Sequence, residues 1–160
     1  MFRFISATSL FLCLLCYLAC NQQSGTKCLD FDDALANASM QDYPAEIDFE
    51  NKELTERAHK TIRDGYDRFG QNFGAFYTLI SWECGPTCQQ IVLVDQRDGK
   101  IYNGPRTALG YNIQKNSRVL FIYPSYDEWK AYVAGGSVEY EVWLWDESAK
   151  KFVFQCRGRD

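Results

Sequence analysis

Cys84 and Cys88 stand either side of Gly85, Pro86 and Thr87 in the stretch "WECGPTC", and the apolar run "QIVLV" follows closely. Two cysteines this close can do redox chemistry or hold a loop shut. A redox dithiol of the usual kind has two intervening residues and its first cysteine at a helix N-terminus. The helix end lowers the thiol pKa and makes the thiolate a good nucleophile. Here three residues intervene and the next segment reads as a strand, so that activation is missing. Gly85 and Pro86 instead bend the chain between two strands, and a turn of this length meets the ~4.4–6.8 Å Cα separation that a disulfide needs. The spacing therefore predicts a structural disulfide, with a reactive thiol pair or a different pairing as the alternatives. Beyond Cys20 the cysteines are Cys28, Cys84, Cys88 and Cys156, an even set that allows only a few pairings. If Cys84 joins Cys88, elimination joins Cys28 to Cys156.

Other chemistry is poorly supplied. His59 is the only histidine. It sits beside the apolar stripe of a helix and reads as an ordinary helix-surface residue, so a Ser–His–acid set has no base. One histidine, and cysteines without paired ligand spacing, do not make a zinc site. "DQRDG", Asp95 to Gly99, lacks the alternating acids and closing glutamate of a calcium loop and reads as a hairpin turn. The pairs Asp127–Glu128, Glu139 with Glu141, and Asp146–Glu147 lie in turns or on one strand face. They form a two-carboxylate site only if the fold brings them together. The expectation is a protein that is not an enzyme, with no catalytic residues, no cofactor and no metal.

The elements that must position these residues are legible from periodicity. Leu54, Ala58, Ile62, Tyr66 and Phe69 form one stripe of a helix over Asn51 to Phe69, and Gly70 stops it. Glu53–Arg57, Glu56–Lys60 and Asp64–Arg68 are acid-before-base pairs on its solvated side. The grain then changes to strands: "AFYTLISW", "QIVLV", "KIY", "RVLFIY", "EYEVWLW" and "KFVFQC", with turns at "DQRDG" and "DESAK". In "EYEVWLW", Tyr140, Val142 and Leu144 face one side, and Glu141, Trp143 and Trp145 the other. The predicted class is α+β: an N-terminal helix packed on an antiparallel β-meander of about six short strands. "DDALANASM" is compatible with a short helix that Pro44 would end. The chain has 4 tryptophans, 10 tyrosines and 11 phenylalanines, and in a small sheet most of these belong to the core.

The N-terminus carries an export signal. Arg3 supplies a positive charge, and the apolar run Phe4 to Leu18 is shorter than the ~20 residues of a membrane span. The run ends in "YLAC", which resembles a bacterial lipobox with Cys20 as the lipid-modified first residue; Tyr17 departs from the leucine usual there, and a plain cleaved signal is the alternative. Asn21 lacks the aspartate associated with inner-membrane retention, so the expected location is the cell envelope, at the outer membrane facing the periplasm. The domain reading is 1–19 signal peptide, 20–27 lipidated cysteine and polar tether, and 28–160 a single α+β domain. Removing the signal takes away Arg3 and lowers the net charge from −4 to −5. That balance, without a basic patch, excludes nucleic acid as a partner.

The segments "NFGAFY", "WECGPTC", "VLVDQRDGKIY" and "NSRVLFI", in this order and spacing, resemble an uncharacterised family of exported bacterial proteins. Its members carry a Trp-x-Cys-Gly-x-x-Cys loop followed by a β-hairpin. The likeness runs over residues 52–123 and extends loosely to "WLWDESAKKF". Where that family often has a histidine, before Tyr77, this chain has Phe76. The resemblance implies the fold and the export, and no mechanism.

The function these readings favour is a non-enzymatic binding or structural module. Its partners are the membrane, through the lipid anchor, and another envelope protein; its oligomeric state is left open. Trp82, Glu83, Gly85 and Pro86 are the candidate partner-binding residues, because loops on a rigid sheet commonly carry recognition. The alternatives are a lipoprotein of the inhibitor or immunity type that blocks a periplasmic enzyme, and a thiol–disulfide oxidoreductase. Cys20→Ser is expected to block fatty-acid labelling and leave an unprocessed precursor. Processing of the variant at the parental rate would remove the lipobox reading.

Overall fold

The computed structural model describes residues 27–37, 44–50, 54–123 and 134–159. The signal peptide, Cys20 and all of the tether but Lys27 lie outside the described residues, as do Asp127 and Glu128. Among the described residues there is one α-helix, α1 (Glu56–Phe69), and seven strands: β1 (Tyr77–Gly85), β2 (Cys88–Asp95), β3 (Ile101–Thr107), β4 (Tyr111–Ile113), β5 (Val119–Ile122), β6 (Glu139–Asp146) and β7 (Lys151–Arg159). The class is α+β, with two antiparallel sheets ordered β1-β2-β3 and β4-β5-β6-β7.

The expected single meander of about six strands is thus corrected to two sheets. All six anticipated strands form; the seventh, β4, is only "YNI", too short to show a period. The reason for two sheets lies in the alternation. Tyr77 and Leu79 of β1, Ile91 and Leu93 of β2, Leu120 and Ile122 of β5 and Trp145 of β6 form one core cluster between the sheets. The intervening residues Ile80, Val92 and Val94 are also buried, on the outer face of the first sheet under Ile62 and Tyr66 of α1. On the second sheet's outer face, Val119 and Val142 are buried under Ala34, with Phe31 and Leu29 packed beside them. Strands apolar on both faces need cover on both, because period two sends neighbouring side chains to opposite sides. The layers are helix, three-stranded sheet, four-stranded sheet, and N-terminal segment.

The helix begins later than its periodicity suggested. Thr55 is the N-cap, its Oγ1 accepting from the Ala58 N–H at 3.2 Å, and Gly70 closes the other end with φ of 53°. Ala58, Ile62 and Tyr66 of the stripe are buried, but Phe69 is 49% exposed and belongs to no core cluster. Glu53 lies outside the described residues; among the described ones on the outer side, Lys60 pairs with Asp64 at 2.5 Å. In the "DDALANASM" region a 3-10 turn, Phe31–Ala34, is capped reciprocally by Asp30 and Asp33.

Several residues of the resemblance segments have structural tasks. The Asn72 side chain pairs with the backbone of Leu79 like a short strand, accepting from its N–H at 2.7 Å and donating to its carbonyl at 3.0 Å. Phe73 is fully buried. Ser117, also buried, donates to the Phe31 carbonyl at 2.7 Å and so holds the N-terminal segment to the second sheet. Gly99 has φ of +74°, and a Cβ there would fall 1.8 Å from the Glu46 carbonyl oxygen, so only glycine fits.

Both disulfides form as pairs: Cys84 with Cys88, and Cys28 with Cys156, at Cα separations of 5.1 and 5.8 Å. The second closes 128 residues of chain and ties the N-terminal segment to β7. By loop-closure entropy it contributes about 5 kcal/mol, against about 2 kcal/mol for the short loop. Urea unfolding of Cys28→Ala/Cys156→Ala and Cys84→Ala/Cys88→Ala double variants is expected to show the first as clearly more destabilised. Equal losses would contradict that assignment of their roles.

Candidate functional site

Two places in the fold gather polar side chains, one at each end of the first sheet. At the first, the β2–β3 and β6–β7 turns meet. Asp95, at the end of β2, is only 2% exposed. Arg97 grips it from the turn, Nε donating to Oδ1 at 2.8 Å and Nη2 to Oδ2 at 2.6 Å. The same Nη2 donates to Glu147 Oε1 at 2.6 Å and lies 2.8 Å from the Tyr77 hydroxyl. Tyr77 in turn donates to Glu147 Oε2 at 2.6 Å, and Trp145 Nε1 reaches that oxygen at 3.0 Å. Lys150 closes the ring, with Nζ 2.6 Å from Glu147 Oε1 and 2.8 Å from the Tyr77 oxygen. The Arg97 guanidinium also lies over the Phe76 ring, 4.6 Å from its centre.

Burial would raise the Asp95 and Glu147 carboxyls, but the hydrogen bonds and charges of Arg97 and Lys150 outweigh it. Asp95 is held below its usual range and Glu147 is held down to about 2. Burial, reinforced by the hydrogen bond to Glu147, pushes the Tyr77 phenol well above its usual value. It therefore stays neutral and cannot serve as a base near neutral pH. Two carboxylates and two cations cancel, and they spend their hydrogen bonds on one another. The arrangement suits a lock between sheets better than a reacting centre. Sequence reading took Asp95–Gly99 and "DESAK" as separate turns and missed that they meet. A carboxylate and a cation in each turn were the available signal.

Asp127 and Glu128 lie outside the described residues, and the other acids named from the sequence are engaged by partners of their own. Glu141 is bonded to Arg157 at 2.8 Å, and Glu139 pairs with Arg159. The Asp146 carboxylate caps its own turn, accepting from the Ser148 and Ala149 N–H groups at 2.9 and 3.0 Å. His59 is not the exposed surface residue expected. It is half-buried, its ring 4.5 Å from that of Phe49, and its Nε2 has no partner among the described residues. Among the described residues no group of three or more His, Cys, Asp or Glu could hold a metal, and no helix is long and apolar enough to cross a membrane.

At the opposite end of the sheet stands the β1–β2 hairpin. Its tip is pinned by Cys84–Cys88, and Glu83, Gly85, Pro86 and Thr87 are exposed. Cys88 opens β2 directly, so no helix N-terminus activates either sulfur. The candidate binding residues do not form one patch. Trp82 packs against the cluster beneath α1, whereas Glu83, the next residue along the strand, points to the opposite face. The neighbours of Trp82 across the sheet are Gln90 on β2 and then Arg106 on β3.

No family model, curated protein or solved structure matches this chain.

The charged lock predicts acid sensitivity with a definite sign. Glu147 sits at about 2 in the folded chain against an ordinary 4.5. Its contribution is present above 4.5 and is lost as pH falls toward about 2. Thermal melts between these limits should show falling Tm in the parent and a flatter profile in Glu147→Gln, with the residual slope from Asp95. Parallel profiles would show that Glu147 does not carry this dependence.

Proposed function

We propose that this protein is a cell-envelope lipoprotein whose domain acts as a non-enzymatic binding or structural module. Cys20 holds it to the membrane, and the Cys84–Cys88 end of the first sheet meets another envelope protein. The observation that carries the reading is the contrast between the two ends of that sheet. One end is closed by side chains that satisfy one another. The other ends in an exposed turn stiffened by a disulfide. A rigid exposed loop loses little conformational entropy on association, which favours recognition. The raised phenol stays neutral and the lowered carboxyls stay charged, the opposite of groups poised to exchange protons near neutral pH.

The test uses the chain from Asn21 onward; every described contact lies within residues 27–159. Immobilised on beads in envelope extract, it should retain a partner that Glu83→Lys or Pro86→Ser releases. Both residues are exposed, and neither change puts a side chain on Gly85, whose φ is +153°, so the melting curve should stay nearly in place. Retention indifferent to these changes would exclude the hairpin end as the contact. Catalytic reduction of insulin disulfides by the parent, lost in Cys84→Ala, would replace the reading with the oxidoreductase alternative.

A further inference from the structure

Arg106 does not face where the strand period would put it. Residues Ile101 and Tyr102 of β3 lie under the helix and between the sheets respectively. Simple alternation from there sends residue 106 between the sheets. The β2–β3 register slips by one, with Val92 opposite Asn103 but Gln90 opposite Arg106. The extra residue is at Gly104–Pro105. A Cβ on Gly104 would lie 2.7 Å from Ile91 Cγ2 and 3.0 Å from the Ile91 carbonyl oxygen, so the bulge brings the two backbones as close as glycine alone allows. Pro105 lacks the N–H that a regular ladder would use at such a position. The result is a side chain turned onto the face that carries Gln90 and Trp82.

Gln90 then fixes the guanidinium. Its amide nitrogen donates to the Ile91 carbonyl at 2.9 Å and the Gly104 carbonyl at 3.3 Å. With the amide so held, its oxygen accepts from Arg106 Nε at 3.1 Å. Arg106 is exposed and forms no ion pair with a described residue, so both of its Nη groups remain to donate. Trp82, half-buried at the other end of the row, forms no side-chain hydrogen bond with a described residue, which leaves its indole N–H as another donor. Elsewhere among the described residues, Arg97, Arg157 and Arg159 are paired to carboxylates.

We infer that the row Trp82–Gln90–Arg106 is a carboxylate-recognition site that takes an acidic segment of a protein partner. The inference rests on the binding-module reading and names the chemistry of its partner. A guanidinium held at Nε presents its free edge as a fork, which matches the two oxygens of a carboxylate. The tryptophan supplies an apolar wall and a further donor, and Trp with Arg is the usual composition of an interface anchor. Glu83 lies on the opposite face, so it does not repel the incoming charge, and the partner reaches it only by also wrapping the hairpin tip. The Cys84–Cys88 link and the bulge hold the three strands on either side of the row in fixed register.

The test is a titration of the isotope-labelled chain from Asn21 with two capped hexapeptides, one alternating Glu and Tyr and one alternating Gln and Tyr. The acidic peptide should move the Trp82 indole and Arg106 Nε–H resonances saturably, and the neutral one should bind at least about tenfold more weakly. Arg106→Gln should bring the acidic peptide to the neutral level, and Arg106→Lys should restore only part, because an ammonium offers no fork. Unchanged melting temperatures would show these variants folded; because Arg106 is exposed, little change is expected. Equal binding of the two peptides, or Trp82 shifts that survive Arg106→Gln, would overturn the site. Envelope capture that responds to Glu83→Lys but not to Arg106→Gln would also overturn it while leaving the module reading intact. Arg106-dependent peptide binding without any envelope capture would uphold the site and remove the proposed partner instead.

Discussion

Strands β1, β2, β5 and β6 carry apolar side chains on both faces, and such strands need cover above and below. The rest of the structure follows from meeting that need with a short chain. Leu79 and Leu93 go inward to meet Leu120 and Trp145, while Ile80 and Val92 go outward to meet the helix. Val119 and Val142 turn the other way and draw in the N-terminal segment. Burying one such side chain contributes about 1.5–3 kcal/mol, so leaving a face open would be a heavy loss for a small domain. One helix covers only one face of one sheet. The second sheet covers the other, and a segment too short for a long helix is enough for the remaining face because Cys28–Cys156 and Ser117 pin it in place.

Packing of this kind is greasy and weakly directional, so something must set how one sheet lies on the other. The charged lock supplies that direction. Arg97 pairs with the buried Asp95 from its own turn, and Glu147 and Lys150 of the β6–β7 turn complete the cluster by bonding Arg97 and approaching Asp95. Ion pairs of this kind add little net stability over well-packed apolar residues, whereas removing one partner leaves the charge of buried Asp95 or half-buried Glu147 less compensated. The aromatic rings of Tyr77 and Trp145 meet edge-on just beneath, with centres 5.2 Å apart. The lock therefore sits on the rim of the core and not apart from it.

With one end of the first sheet committed to this task, the other end is left to face outward. There the backbone is held by covalent and local devices: a disulfide across the hairpin and a glycine–proline bulge in the neighbouring strand. Both restrain motion without using charged or polar side chains. That division leaves Trp82 and Arg106 on one face of the first sheet.

Much of this was legible in the residues. Period two in "EYEVWLW" assigned Val142 and Trp145 to opposite faces, and they occupy different core clusters. The Cys84–Cys88 staple could be read because its geometry is local to one turn. The same alternation already separated Trp82 from Glu83, a consequence visible only once each face had a known neighbour. What the tertiary structure decided was which surfaces meet. Arg97 and Glu147 are 50 residues apart, and no local spacing announces their bond. The turning of Arg106 depends on Gly104 pressing against Ile91 of another strand. The physical reason is one of range. Torsional preference and side-chain period act over a few residues, and so they specify elements and faces. Register, bulges and the pairing of faces are selected by contacts that exist only when distant parts of the chain pack together.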